Sequence, residues 1–281
     1  MSKRLNSYLI IGLVLLMISI QISDSTAEQS DTEHLIRRMA PPVEVVRGTP
    51  SKDEVYLDAF YEPSDIVQGN RRGHWSEIST TYGYKHGNIR GYGSVTRYER
   101  FSNRDFAANL GAYFSFPDSY FHTEMGASWY TDYIYRLQTI NEYGHKLYKN
   151  LFWQIGYNFR SYDTGNTHVA YPGLIYYFGD SYMAADYGAI WIEGRNTGSF
   201  GNFRGDFAIT DFLHLWTGVA VGEWLYDIYG LSSSQEFGYI LSIGLNVKVY
   251  KGVNAKVGYS YSTEEPRFIK RSLNFGLSTK F

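Results

Sequence analysis

From Glu54 to its last residue this chain repeats one pattern: runs of about ten residues in which apolar and polar side chains alternate, broken by turn residues. Leu151, Trp153, Ile155, Tyr157 and Phe159 fall on one face of such a run. Gln154, Gly156, Asn158 and Arg160 fall on the other, with Phe152 out of step. Phe121 to Trp129, Phe237 to Val249 and Val253 to Tyr261 read the same way. A period of two marks a β-strand, because successive Cβ atoms leave the pleat on opposite sides. The chain is therefore expected to be all-β, with two faces of different chemistry.

A soluble sandwich and a membrane barrel both alternate, and the polar face separates them. A sandwich turns that face to bulk water and favours Lys, Glu and Thr. Here it is rich in Gly, Ser and Asn with scattered charges of both signs, which suits a crowded lumen. The apolar face often ends in Tyr, Trp or Phe, as an interfacial girdle does, and aromatics make up 18% of the chain, 27 of them Tyr. An Arg or Lys at the centre of a lipid-facing surface costs about 2–4 kcal/mol, and these four runs place none there. The mean hydropathy of -0.32 argues only against helical spans, since a barrel sends every second side chain into a polar interior. The expected fold is a single transmembrane antiparallel up-and-down β-barrel.

Fourteen strands are expected, near 54–62, 74–84, 89–100, 104–115, 119–129, 134–143, 151–161, 166–178, 181–193, 199–210, 212–222, 237–249, 253–262 and 269–281. If the last strand ends in the periplasm, the short turns at Lys85 to Asn88, Pro117-Asp118, His145 to Asn150, Gly179-Asp180, Asp211 and Lys251-Gly252 are periplasmic. The two longest connections, Pro63 to Gly73 and Glu223 to Glu236, then lie outside the cell. Twelve strands is the alternative, because Tyr92, Ser94, Thr96 and Tyr98 compete with Ile89, Gly91 and Val95 for the inner face of 89–100. The chain closes Leu273, Phe275, Leu277, Thr279, Phe281 on one face. A terminal aromatic on such a strand resembles the signal read by the barrel-assembly machinery, so that machinery is an expected partner through Phe281. Outer-membrane lipid and lipopolysaccharide are the expected surroundings of a Gram-negative outer-membrane protein.

The N-terminus supports export. Lys3 and Arg4 precede the apolar run Tyr8 to Ile20, too short for the about 20 residues of a spanning helix. Polar residues follow at once, and Ser25-Thr26-Ala27 offers the small residues of a cleavage site, so 1–27 reads as a signal peptide. No Cys lies near it, which excludes a lipoprotein. Residues 28–53 carry Pro41, Pro42 and Pro50 and no clean period, and read as a flexible periplasmic leader ahead of a barrel over 54–281.

Three stretches carry a family resemblance: Asn109 to Ser128 (NLGAYFSFPDSYFHTEMGAS), Tyr143 to Tyr162 with its WQIGYNFRSY, and Tyr171 to Tyr187 (YPGLIYYFGDSYMAADY). They resemble the strand-turn-strand units of the YaiO outer-membrane β-barrel family. The resemblance implies an outer-membrane location and a single barrel, and says little about activity. Some relatives carry helical repeats before the barrel and are linked with exopolysaccharide systems, which makes polysaccharide a further possible partner. Residues 28–53 leave no room for such repeats.

In this register Arg136, Gln154, Asn158, Arg160, Asp186, Asn202, Arg204, Asp206, Lys248, Lys256 and Lys270 point inward. Two readings stand: an ion or sugar path, or salt-bridged filler that closes the interior, since buried charges must be paired. Trp224, Tyr226 and Tyr229 in the long outer loop would stack on sugar rings or join the upper girdle. No nucleophile elbow, Walker loop or His-Glu-x-x-His appears, and there is no Cys. His122 and Glu124 form the one acid/base candidate inside the lumen. His74 and His168, the latter beside Asp163 and Thr164, are the candidates at an outer rim. With a net charge of -2 and no basic block, nucleic acid is not an expected partner. The sequence thus points to a structural or passive-transport barrel with no cofactor, an outer-membrane hydrolase or an adhesion scaffold being the alternatives.

Overall fold

The computed structural model describes residues 51–100, 103–129, 134–163, 165–194, 197–223, 237–264 and 268–281. The expected signal peptide, the leader up to residue 50, and Trp224, Tyr226 and Tyr229 lie outside the described residues. Fourteen strands follow one another: β1 (Ser51–Gln68), β2 (Arg71–Gly87), β3 (Ile89–Arg100), β4 (Asn103–Ser115), β5 (Ser119–Trp129), β6 (Leu137–Tyr148), β7 (Leu151–Tyr162), β8 (Gly165–Phe178), β9 (Ser181–Ile192), β10 (Gly198–Thr210), β11 (Leu213–Glu223), β12 (Phe237–Tyr250), β13 (Val253–Glu264) and β14 (Phe268–Lys280). Each pairs antiparallel with its sequence neighbours, and β14 returns to β1 to close the barrel. Closure leaves no sheet edge with unpaired backbone groups.

The strand in doubt is present. β3 pairs with β2 and β4 along its length, with Thr96 and Tyr98 buried inside and Ile89 and Val95 exposed outside. The expected outer loop at Pro63 to Gly73 is not a loop. β1 and β2 continue through it and turn only at Gly69-Asn70, where Gly69 takes a positive φ of 59°. Pro63 suggested a break because it lacks an N–H. It costs only a local gap: β1 and β14 skip from the Tyr61–Phe275 pair to the Ser64–Ser272 pair, while Pro63 stays in register with Ser76 on β2. β1 also begins at Ser51, three residues before the expected start of the barrel at 54.

One end of the barrel carries Phe281 and the two-residue turns at 149–150, 179–180 and 251–252; we call it the turn end, and the other, where Gly69-Asn70 lies, the loop end. The outer wall between them exposes Leu110, Met125, Ile155, Tyr187, Ile243, Tyr259 and Leu273, with Leu110 72% exposed. The inner face buries Glu62, Glu142, Arg160, Asp186, Arg204 and Lys270. This inverts the distribution of a water-soluble domain, and an apolar surface of that extent requires an apolar cover.

Candidate functional site in the barrel interior

The inner wall is organised by a repeated device, in which two polar side chains on alternate strands meet across a glycine on the strand between. Gly173 on β8 pairs with Gln154 on β7 and with Asp186 on β9. Because Gly173 fills no space, Gln154 Nε2 reaches over it to donate to Asp186 Oδ1. A Cβ there would sit 2.1 Å from that oxygen. Tyr120 on β5 crosses Gly144 on β6 in the same way and lies 2.9 Å from Gln154 Oε1. Tyr171 crosses Gly156 to donate to Glu142 Oε2 at 3.1 Å. Gln138 crosses Gly126 to donate to Asn109 Oδ1 at 3.0 Å. Tyr92 crosses Gly111 to donate to Glu124. Glycine on the polar face thus marks positions spanned by neighbouring side chains.

These bridges join into ionic clusters. Asp186 also accepts from Asn202 Nδ2 at 3.2 Å and lies 3.3 Å from Arg204 Nη2, and the two charged side chains are only 2% and 6% exposed. Glu142 receives the Tyr120 hydroxyl at 2.9 Å besides that of Tyr171. Arg160 donates through Nε to Gln138 Oε1 at 2.9 Å and stacks over the Tyr135 ring. On β14 and β1, Lys270 pairs with buried Glu62 at 3.0 Å. Charges so deeply buried are tolerable only with partners of this kind.

Apolar layers lie on both sides of the cluster around Asp186 and Glu142. Toward the turn end Tyr120, Phe152, Ile175, Tyr177 and Ala184 pack together. Phe152 is therefore an inward residue, and its break of the alternation builds this layer. In the loop half Ile66, Trp75, Val169, Ile190, Phe200, Ile240 and Phe268 form a second layer that draws on β1, β2, β8, β9, β10, β12 and β14. By contrast, β12, β13 and β14 line their inner face with Ser242, Gly244, Gly258, Ser260, Ser262, Ser272 and Asn274.

The expected lumen residues distribute as follows. Asn158, Arg160, Asp186, Arg204 and Asp206 are buried on the inner face, and Asp206 Oδ1 meets His214 Nδ1 at 2.5 Å. Lys256 is half-buried and feels the charges of Asp58 and Asp206. Lys248 has inner-face parity but lies exposed near the end of β12, beside the turn. Arg136 is a correction: it precedes β6, is 60% exposed, and pairs with Asp163 at the loop-end rim. It is out of the bore because β6 starts at Leu137, three residues later than the expected strand. Glu62, Glu142, Gln138 and Asn109 belong to the buried clusters and were not singled out. Parity would have found Glu142, which stands opposite His122.

The histidine candidates part company. His122 is fully buried, stacked on Tyr92 and Tyr113, and its Nε2 lies 2.8 Å from the Tyr92 hydroxyl, which donates to Glu124. Tyr92 therefore stands between the two candidate acid/base groups. His74 is exposed, opposite Asp65 near the loop end. His168 lies on the outer face, its Nδ1 2.7 Å from the Tyr157 hydroxyl.

The sequence matches no family model and no curated protein. The fold has solved counterparts. A monoaromatic hydrocarbon channel, CymD, is similar over 92% of this chain and 95% of its own, at 8% identity and a TM-score of 0.58. A bacterial polysaccharide outer membrane secretin is similar over 83% and 99%, at 9% identity and a TM-score of 0.56. The toluene transporter TodX of Pseudomonas putida is similar over 92% and 95%, at 10% identity and a TM-score of 0.53. The shared fold is that of outer-membrane β-barrels.

Proposed function

We propose that this chain is a Gram-negative outer-membrane barrel whose bore is closed to freely diffusing ions in its resting state. The observation that carries this reading is the placement of Asp186, Arg204 and Glu142, buried and partnered between apolar layers, together with the buried Glu62–Lys270 pair on β1 and β14. An ion path needs charges that face water and have capacity left for a passing solute. Here Asp186 faces Arg204 and Glu62 faces Lys270, while Glu142 takes the hydroxyls of Tyr120 and Tyr171. The same economy disfavours export of a hydroxyl-rich polysaccharide through the bore, as the YaiO resemblance suggested. An enzyme at the outer rim finds little support, since His168 is engaged with Tyr157 on the outer face.

The loop-half apolar layer favours a second reading, occasional passage of an apolar solute, which agrees with the hydrocarbon and toluene carriers that share the fold. Planar-bilayer recording on the purified full chain tests the first reading. The expected trace is a silent membrane with rare brief openings; a steady ohmic conductance of porin size would refute closure.

A further inference from the structure

The outer wall is not uniform around the barrel at its loop end. On β3 and β4, Arg97, Glu99 and Arg104 share the outward parity of exposed Val95 and Phe106. Glu99 Oε2 takes Arg97 Nη2 at 3.1 Å and its Oε1 takes Arg104 Nε at 3.1 Å, so one carboxylate holds two guanidinium groups side by side. Register fixes their height. Arg97 stands opposite Phe106, and Phe106 stands opposite Trp129, a residue of the exposed aromatic rim. Glu99 and Arg104 stand opposite each other one step closer to the loop end. Below them the wall becomes apolar, with Val95, Phe106 and Leu110 all exposed. Exposed Arg72 and His74 on β2, and Arg271 of β14 with Asp65 of β1, extend the patch sideways. On β8 to β12 the described outward residues at this end include Glu193 and Glu223, and no Arg or Lys among the described residues.

We propose that the β2–β4 wall is a docking site for a phosphorylated glycolipid of the outer leaflet, of the lipid A type. Its phosphate sits on Arg97 and Arg104, and its acyl chains lie over Val95, Phe106 and Leu110. The chemistry follows from the arrangement. A guanidinium fork matches phosphate oxygens in pairs. Arginines at the level of an aromatic girdle meet headgroups rather than hydrocarbon. Four arginines (72, 97, 104 and 271) face two carboxylates (Asp65 and Glu99), which leaves the patch positive. Glu99 keeps the two central guanidinium groups adjacent, so the site is set before the lipid arrives.

This inference rests on the outer-membrane reading, and its test keeps the two apart. The full chain is reconstituted in nanodiscs doped with bisphosphorylated lipid A, dephosphorylated lipid A or phosphatidylglycerol, and the lipid retained after detergent extraction is measured by native mass spectrometry. Retention of bisphosphorylated lipid A should exceed that of the other two about tenfold, and the double variant Arg97→Gln/Arg104→Gln should lose that preference, a difference of about 1.4 kcal/mol. Heat-modifiable migration of the variant shows that its barrel is intact. Equal retention by an intact variant, or equal retention of phosphatidylglycerol and lipid A by the native chain, overturns the site alone. A native chain that fails to enter bilayers overturns the site and the outer-membrane reading together.

Discussion

The two halves of the inner wall solve the same problem with opposite means. From β3 to β10 long polar and aromatic side chains reach across glycines to their next-but-one neighbours, as in Gln154–Gly173–Asp186 and Tyr171–Gly156–Glu142. From β12 to β14, apart from Ile240, Lys256, Phe268 and Lys270, the inner residues are mostly short, chiefly Ser, Gly and Asn, and Trp216 of β11 projects over Gly244 and Gly258 of this stretch. Yet Ser260, Ser262, Ser272 and Asn274 are buried too. A barrel of fourteen strands is wider than one that wall side chains fill symmetrically. The inner wall is therefore asymmetric, with side chains that bridge three strands on β3 to β10 and short buried ones along much of β12 to β14.

Substitutions in the bridged half should therefore be the costly ones. Asp186→Ala leaves Arg204 without its carboxylate and strips the acceptor from Gln154 and Asn202. Removing one partner of a buried pair costs about 3–5 kcal/mol. Urea unfolding in lipid vesicles, followed by tryptophan fluorescence, should show a loss of that size. A loss below about 1 kcal/mol, the range of exposed pairs, would mean that water reaches the cluster and would dissolve the contrast.

A single methyl group probes the bridge itself. Gly173→Ala drives a Cβ into the Gln154–Asp186 bridge, 2.1 Å from Asp186 Oδ1 and 3.0 Å from the Ala185 carbonyl. Overpacking of this kind costs about 1–3 kcal/mol. Gly201→Ala on the outer face of β10 meets nothing within 4 Å, so its stability should stay within about 0.5 kcal/mol of the native chain. Equal effects of the two would show that the glycines are there for chain flexibility rather than for the bridges.

How much of this was legible follows from what alternation can and cannot encode. Parity alone placed Asn158, Arg160, Asp186 and Arg204 on one face, because a period of two is a local property of each strand. The bridges were not legible. They depend on register between three strands, which the sequence of any one strand leaves open. Phe152 looked like a lapse in a polar face and instead builds the apolar layer toward the turn end. Pro63 looked like a loop residue because its missing N–H is a local signal, whereas its tolerance at the β1–β14 seam is a tertiary fact. Arg136 was misplaced by three residues of strand boundary, the least readable feature of a periodic segment.

Spin labels placed one at a time along β12 put the account at greatest risk. The native chain has no Cys, so single Cys variants from position 238 to 248 can be labelled cleanly and their collisions with oxygen and with a water-soluble nickel chelate compared in bilayers. The account predicts a strict two-residue oscillation, with Leu241, Ile243 and Leu245 favouring oxygen and Ile240, Ser242 and Gly244 shielded from both reagents. Free access of the nickel chelate to positions 240, 242 and 244 would show an open aqueous bore, and loss of the oscillation would show that this wall does not divide lipid from interior.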